Sequence, residues 1–180
     1  MIALAADLMP RFGDWLKSTR LTELSVWIGN TRLSTTLNQN SWITPTLQSI
    51  HILAIAMTFS AALMISLRIA GLAGEGRTLL EVERRYVPWI WGGLATLFAT
   101  GFVLLLAEPS RQLLNPYFWT KMMLIVVVLA ATSLFQRSIE RRAAVWQSPR
   151  LAYGVRVGAL GLIGVWAAIM VMGRWIAYGV

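Results

Sequence analysis

Long apolar runs alternate with short polar segments from Trp42 onward. Four of these runs are near the ~20 residues that an α-helix needs to cross the hydrocarbon core of a bilayer. A proline stands near the start of each run, where its missing N–H removes no helical hydrogen bond. The pattern predicts an all-α integral membrane four-helix bundle, with spans over about 45–71, 88–107, 116–136 and 149–178.

The residues beside the prolines define the ends of these spans. A residue able to cap exposed helical N–H groups directly precedes three of them, in Thr44-Pro45, Asn115-Pro116 and Ser148-Pro149. Pro88 is expected to open the second helix in the same way. Glu108-Pro109 is expected to end that helix, because proline cannot continue it.

Residues 1–41 contain no run long enough to span a membrane and form a separate segment from the transmembrane domain, 42–180. Leu21, Leu24 and Ile28 recur at helical spacing with polar residues between them, which predicts an amphipathic helix lying in the membrane interface. A lid packed over the bundle is the other interpretation. The start of the chain has no basic residue before its first apolar residues, so a cleaved signal peptide is not expected.

Aromatic and small residues support the same arrangement. Trp and Tyr favour the two headgroup layers of a bilayer, and here they form two sets, one of Trp42, Tyr117, Trp119, Trp175 and Tyr178 and the other of Tyr86, Trp89, Trp91, Trp146 and Tyr153. Small residues let helix backbones approach closely. Tight bundle packing is therefore expected at Gly92, Thr96 and Thr100, and at Gly154, Gly158, Gly161 and Gly164.

The composition agrees with a membrane protein. The chain is 57% hydrophobic and 13% charged, whereas soluble domains carry about 25% charged residues. In a soluble protein the net charge of +8 would suggest nucleic acid. Here the basic residues cluster at helix ends, which indicates anionic lipid as the partner and not nucleic acid. With no cysteine in the chain, disulfides and thiolate metal sites are excluded.

The distribution of Lys and Arg predicts the orientation, because basic loops stay on the cytoplasmic side. The 72–87 and 137–148 loops are the basic ones, with Arg77, Arg84, Arg85, Arg137, Arg141 and Arg142. Both termini are then expected to face the periplasm. Arg11, Lys17 and Arg20 compete with this assignment, but they lie farther from the first span.

Ionisable residues inside spans are costly and therefore candidates for function. His51, the one histidine of the chain, lies about 9 Å along the first predicted helix at ~1.5 Å per residue. Thr44, Gln48, His51 and Thr58 share a helical face, which is expected to point into the bundle. The parity of the four spans brings one polar residue from each helix to the same leaflet, namely His51, Glu108, Lys121 and Arg174.

A redox cofactor would suit these residues. Neutral imidazole ligates haem iron and can also hydrogen-bond a quinone. Lys121 and Arg174 could hold haem propionates, and a flat cofactor could be walled by Trp119, Trp42 and Trp175. One histidine cannot form a bis-histidine haem site, so the sixth ligand would be Met, Lys, water or absent.

Other interpretations remain open. His51 and Lys121 are also explained as structural polar groups that fix the helix register. Copper would need a methionine array, and only Met122-Met123 and Met170/Met172 are clustered. The sequence contains no nucleophile–histidine pattern and no glycine-rich phosphate loop.

A succession of short motifs resembles a family of bacterial inner-membrane proteins of unknown function. The resemblance covers roughly residues 21–135 and is carried by Ser25-Val26-Trp27-Ile28, Ser41-Trp42, Pro45, His51, Leu67-Arg68, Gly71, Trp91-Gly92, Thr100-Gly101, Asn115, Phe118 and Lys121. It implies a location in the bacterial inner membrane. Members of the family usually carry Glu and Asp where this chain has Gln48 and Ser66, so a proton acceptor beside His51 is missing here.

A more distant likeness links the histidine of the first helix and Trp119-x-Lys121 of the third to four-helix membrane protoporphyrinogen oxidases and to copper-resistance D-type membrane domains. The oxidases bind haem b, and the resemblance implies that His51 and Lys121 are the matching positions. The leading hypothesis is a redox-associated protein that binds haem b or quinone, or that anchors a membrane or periplasmic redox partner. A porphyrinogen-oxidising enzyme and a purely structural subunit or assembly factor are the rivals.

Overall fold

The computed structural model describes residues 2–73, 76–141 and 153–176, and every regular element in these ranges is α-helical. In chain order the helices are α1 Ile2–Lys17, α2 Leu21–Gly29, α3 Arg32–Gln39, α4 Ile43–Ala70, α5 Leu79–Ala107, α6 Pro109–Leu113, α7 Pro116–Arg141 and α8 Tyr153–Trp175. By length and composition, four of them can cross a membrane, namely α4, α5, Pro116–Leu134 of α7 and Gly154–Trp175 of α8. The predicted all-α class and the four candidate spans are confirmed, which indicates a multi-pass membrane protein.

Several sequence predictions lie outside the described residues. These are the positions of Trp146, of Ser148-Pro149 at the start of the fourth span, and of Tyr178 at its end.

The starts of two helices and the end of a third test the role assigned to proline. α7 begins at Pro116, and the backbone N–H of Tyr117 donates to Asn115 Oδ1 over 2.9 Å, so the predicted cap is confirmed. Pro45 lies in the first turn of α4, as predicted, but Thr44 lies inside that helix and does not precede it. As expected, α5 ends at Ala107, directly before Glu108-Pro109.

The predicted start of the second span at Pro88 is wrong, because α5 begins at Leu79 and Pro88 lies in its interior. A reciprocal cap starts the helix earlier. The backbone N–H of Thr78 donates to Glu81 Oε2 over 2.8 Å, and the backbone N–H of Glu81 donates to Thr78 Oγ1 over 3.3 Å. This is the Thr-x-x-Glu capping box, which satisfies two N–H groups at once.

Contacts between residues divide the chain into two compact units. The first unit comprises Met1–Ile52, Leu97–Met123 and Met170–Val180, and the second comprises Leu53–Thr96 and Leu124–Ile169. The core of the second unit contains small residues from α4 beside larger residues of the other long helices; its buried members are Ala61, Ala62, Ile90, Val128, Trp166 and Ile169.

Glycine packing in the second unit differs from the expectation. A Cβ on Gly93 would overlap the Thr58 hydroxyl and lie 3.2 Å from Met57 Cε, so α4 and α5 approach closely at this glycine. Gly92, the predicted packing residue, is exposed, and no described atom lies within 4 Å of the Cβ position. The same holds for the four glycines of α8, Gly154, Gly158, Gly161 and Gly164. The prediction that they pack against neighbouring helices is wrong, since the packed face of α8 carries Trp166 and Ile169 instead.

Three short helices, α1 to α3, occupy the segment in which one amphipathic helix was predicted. α2 packs against α6 in the first unit, where the Ser110 hydroxyl donates to Ser25 Oγ over 3.3 Å. Ser25 is buried, whereas Leu24 of the predicted apolar face is exposed, as are Val26 and Trp27. The exposed side of α2 therefore carries large apolar side chains, and their insertion into a membrane interface stays a prediction.

Candidate functional site

His51 lies two turns into α4, in the first unit, and is half-buried. Its Nδ1 is 2.7 Å from Oγ1 of Thr100 on α5, and Thr100 is buried. A Cβ on Gly101 would lie 3.5 Å from His51 Cε1, so the glycine lets the backbone of α5 come up to the ring. Two consecutive residues of α5 thus fix the imidazole, one by a hydrogen bond and one by close contact.

The hydroxyl of Thr100 determines which ring nitrogen remains available. Thr100 Oγ1 also lies 3.4 Å from the backbone carbonyl of Leu97, one turn earlier. When the hydroxyl proton goes to that carbonyl, Thr100 accepts from Nδ1–H, and Nε2 of His51 carries a lone pair. When the hydroxyl donates to Nδ1 instead, Nε2 carries the proton. The first tautomer suits a metal ligand, and the second suits a hydrogen-bond donor to a carbonyl.

Lys121 lies on α7 in the same unit and is partly buried. A Cβ on Gly173 of α8 would lie 3.6 Å from Lys121 Nζ, so this glycine makes room for the ammonium group. Within the described part of the chain, Lys121 has no ion pair. A cation inside a span is costly unless an anion or polar groups compensate it.

The other predicted site residues share this unit but have separate surroundings. Glu108 is at the end of α5 and forms an ion pair with Arg111. Trp119 donates its indole N–H to the Leu113 carbonyl over 2.9 Å. Gln48 and Arg174 are exposed. The first unit therefore contains these four residues as well as His51 and Lys121. The described contacts place His51 against α5 and Lys121 against α8.

The aromatic residues predicted to wall a flat cofactor do not form a common surface. Trp42 is 67% exposed and Trp175 is 52% exposed. Trp175 lies 5.9 Å from the Tyr117 ring, and Trp119 meets Phe118 edge to face at 5.6 Å. These ring contacts lie at the start of α7 and the end of α8, and neither of them involves His51.

Sequence reasoning missed Thr100, Gly101 and Gly173 as parts of the site. Thr100 was grouped with Gly92 and Thr96 as a packing residue because the three share a four-residue spacing. The sequence did contain a signal for this part of the site. A threonine followed by glycine in an apolar run provides a hydrogen-bonding hydroxyl and, beside it, room for a side chain from a neighbouring helix.

The donor set limits the cofactors that fit. Among the described residues, no three His, Cys, Asp or Glu side chains come together, so a metal ion held by several protein carboxylates or histidines has no support there. A single imidazole suits a metal whose other ligands come from a macrocycle, as in haem. For such a group, His51 would be the one protein ligand, Thr100 would be the hydrogen-bond partner of its other ring nitrogen, and Lys121 would be a cation available to a carboxylate.

Comparisons of the chain with protein-family models, with curated proteins and with solved structures gave no match.

Proposed function

We propose that this chain is a multi-pass protein of the bacterial inner membrane that binds haem b through His51. In this proposal α4, α5, α7 and α8 form a four-helix bundle. The helices α1 to α3 lie at the periplasmic interface, and both termini face the periplasm. The observation that carries the proposal is the 2.7 Å contact between His51 Nδ1 and Thr100 Oγ1, which holds the ring and leaves Nε2 as the available nitrogen.

The contact supports ligation because histidines that bind metals usually have their second ring nitrogen fixed by a hydrogen bond. Thr100 is buried, so its hydroxyl keeps that bond without competition from water. Bound haem would supply one-electron transfer, with a potential set by its ligands and surroundings. Lys121 would pair with a propionate, and Gly101 would keep the ring of His51 in contact with the backbone of α5.

Quinone is the second candidate, and the hydrogen-bond lengths favour it as a specific alternative. The contact of Thr100 Oγ1 with His51 Nδ1 is shorter than that with the Leu97 carbonyl, at 2.7 Å against 3.4 Å. If the hydroxyl donates along the shorter contact, Nε2 carries a proton. His51 would then donate to a quinone carbonyl, and Lys121 would stabilise the negative charge that develops on reduction.

The test is the reduced-minus-oxidised absorbance spectrum of detergent-purified protein made with added haem precursor. We expect a b-type band in the wild type and in Gln48→Ala, which changes an exposed residue one turn from His51. We expect no band in His51→Ala. A Lys121→Met variant should keep the band but bind haem more weakly by about 1.5–3 kcal/mol, the usual contribution of a hydrogen bond to a charged group.

Other outcomes would redirect the proposal. If no haem band appears, but extraction yields quinone from the wild type and none from His51→Ala, the site binds quinone. Oxidation of protoporphyrinogen by the purified protein would make it an enzyme. If the protein carries no haem and no quinone, the cofactor proposal is overturned, and a structural subunit or assembly factor remains.

The predicted orientation can be tested directly because the chain has no cysteine. Ser18→Cys and Gly76→Cys each place one thiol at an exposed position. On intact cells, a membrane-impermeant maleimide should label Ser18→Cys and leave Gly76→Cys unlabelled until the cells are opened. The reverse pattern would invert the topology.

A further inference from the structure

A cavity of about 330 Å³ in the second unit lies between the end of α4 and the start of α5. This volume is at the lower end of the ~300–1,000 Å³ that is usual for small-ligand sites. The residues that line the cavity are Met64, Arg68, Ala73, Gly76, Arg77, Val82 and Tyr86. Among these described lining residues there are two guanidinium groups and one phenol, and none is acidic.

A hydrogen bond between two of the lining residues, Arg68 and Arg77, holds the site together. Arg68 Nε donates to the backbone carbonyl of Arg77 over 2.9 Å, which ties the last turn of α4 to the loop nine residues later. That bond uses one of the five N–H donors of Arg68 and leaves the others for a ligand. Arg77 takes part through its backbone oxygen, so its own guanidinium is not used in this bond.

The two acidic residues of α5, Glu81 and Glu83, do not line the cavity. Glu81 is held in the capping box with Thr78. Glu83 is buried and lies outside the lining of the cavity. The described residues of the cavity therefore present positive charge and hydrogen-bond donors, the combination that recognises a phosphate group.

The position along the helices indicates the source of the phosphate. Trp89 and Trp91, one turn beyond Tyr86 on α5, are 57% and 45% exposed. Exposed Trp on a membrane-spanning helix marks the headgroup layer. The cavity thus lies at the end of two candidate spans and at the level of lipid phosphates. In the predicted topology this is the cytoplasmic leaflet, where basic segments attract anionic lipid.

We propose that the Arg68–Arg77–Tyr86 cavity is a binding site for a phosphate-bearing anion, with the headgroup of an anionic phospholipid as its occupant. This site is separate from His51, and its function does not depend on haem or quinone binding. The apolar side chains of Met64 and Val82 would contact the glycerol and the first methylenes of the lipid, and the two guanidinium groups would contact the phosphate.

The experiment measures lipid binding by the full-length purified protein in neutral detergent. Phosphatidylglycerol, phosphatidylcholine and inorganic phosphate are each titrated, and native mass spectrometry reports the bound lipid. The test variant is Arg77→Gln, which removes a guanidinium and leaves the backbone carbonyl that Arg68 requires. The matched control is Arg84→Gln, which removes the same charge from an exposed position on α5 that does not line the cavity.

We expect phosphatidylglycerol to bind more tightly than phosphatidylcholine, and Arg77→Gln to weaken it roughly tenfold or more, as for loss of a charge-assisted bond. Arg84→Gln should change the affinity less than about twofold, as for a solvent-screened surface charge. If inorganic phosphate binds as tightly as the lipid and competes with it, the site holds phosphate but its source is the free ion. Equal losses in the two variants, or no preference for phosphatidylglycerol, would overturn the proposal. The haem spectrum of Arg77→Gln should match that of the wild type, which separates this test from that of His51.

Discussion

Gly93 offers a direct test of how closely α4 and α5 approach in the second unit. A Cβ at this position would overlap Thr58 Oγ1 and would lie 3.2 Å from both Thr58 Cβ and Met57 Cε. Thr58 has no room to move away, because it is 0% exposed and its hydroxyl donates to the Ala54 carbonyl over 2.8 Å. Gly93→Ala must therefore rotate Thr58 or separate the helices.

The expected change in the free energy of unfolding of Gly93→Ala combines three effects. Overpacking a core by one methyl group costs about 1–3 kcal/mol, and loss of the Thr58–Ala54 bond costs about 0.5–1.5 kcal/mol. The higher helix propensity of alanine returns about 0.5–1 kcal/mol. We expect Gly93→Ala to lower the free energy of unfolding by about 0.5–4 kcal/mol. Gly92→Ala has no steric term because its Cβ position is open, so it should raise the free energy of unfolding by up to about 1 kcal/mol.

The assay is unfolding in mixed micelles by increasing SDS, followed by far-UV circular dichroism. A third variant tests the cause, since Thr58→Ala removes the oxygen that the new methyl group would meet. The double variant Gly93→Ala/Thr58→Ala should be more stable than the sum of the two single changes predicts, which is the sign of a relieved clash. Equal effects of Gly92→Ala and Gly93→Ala, or strict additivity in the double variant, would refute the predicted clash.

Three further predictions concern hydrogen bonds. Thr100→Val should weaken cofactor binding roughly 10–100-fold by releasing the His51 ring, which a cofactor titration would show. The control Thr96→Val, which removes the hydroxyl that donates to the Gly92 carbonyl, should bind normally. Asn115→Ala should lower the free energy of unfolding by about 2–3 kcal/mol in the SDS assay, because it removes both the cap of α7 and the hydrogen bond to the Ile176 carbonyl. A loss under about 0.5 kcal/mol would show that neither interaction contributes to stability. Thr78→Val should lower the free energy of unfolding by about 0.5–2 kcal/mol through loss of the cap on α5. Glu81→Gln should leave it nearly unchanged, because glutamine can complete the same capping box. A large loss of stability in Glu81→Gln would show instead that the charge of the carboxylate matters.

The four spans could be predicted from sequence because hydrophobic length is a strong local signal. The start of α7 at Asn115-Pro116 could also be predicted from local sequence, because a capping side chain and a proline at the first helical position act on neighbouring backbone groups. Pro88 was misleading, since the capping box at Thr78 and Glu81 starts the helix more than two turns earlier. An interior proline is tolerated in a membrane-spanning helix when other groups satisfy the freed backbone.

The packing and the site were less predictable because both depend on which helices become neighbours. Spacing marks a face of a helix but does not identify its partner, so Gly92 and Gly93 could not be distinguished before the position of Thr58 was known. His51 and Lys121 stood out because ionisable residues are rare inside spans. Thr100 could not be assigned to His51, since nothing in the sequence relates positions on α4 and α5 that are 49 residues apart.

Chemical rescue tests the central claim, that His51 ligates a redox cofactor, most directly. His51→Gly removes the ring and leaves a cavity beside Thr100, and imidazole added to the purified variant can occupy it. We expect about one haem per wild-type chain, because there is a single axial histidine, and no haem in His51→Gly. When haem and imidazole are supplied together, the variant should regain a b-type spectrum. A wild-type protein without haem, or a His51→Gly variant with an unchanged spectrum in the absence of imidazole, would contradict it.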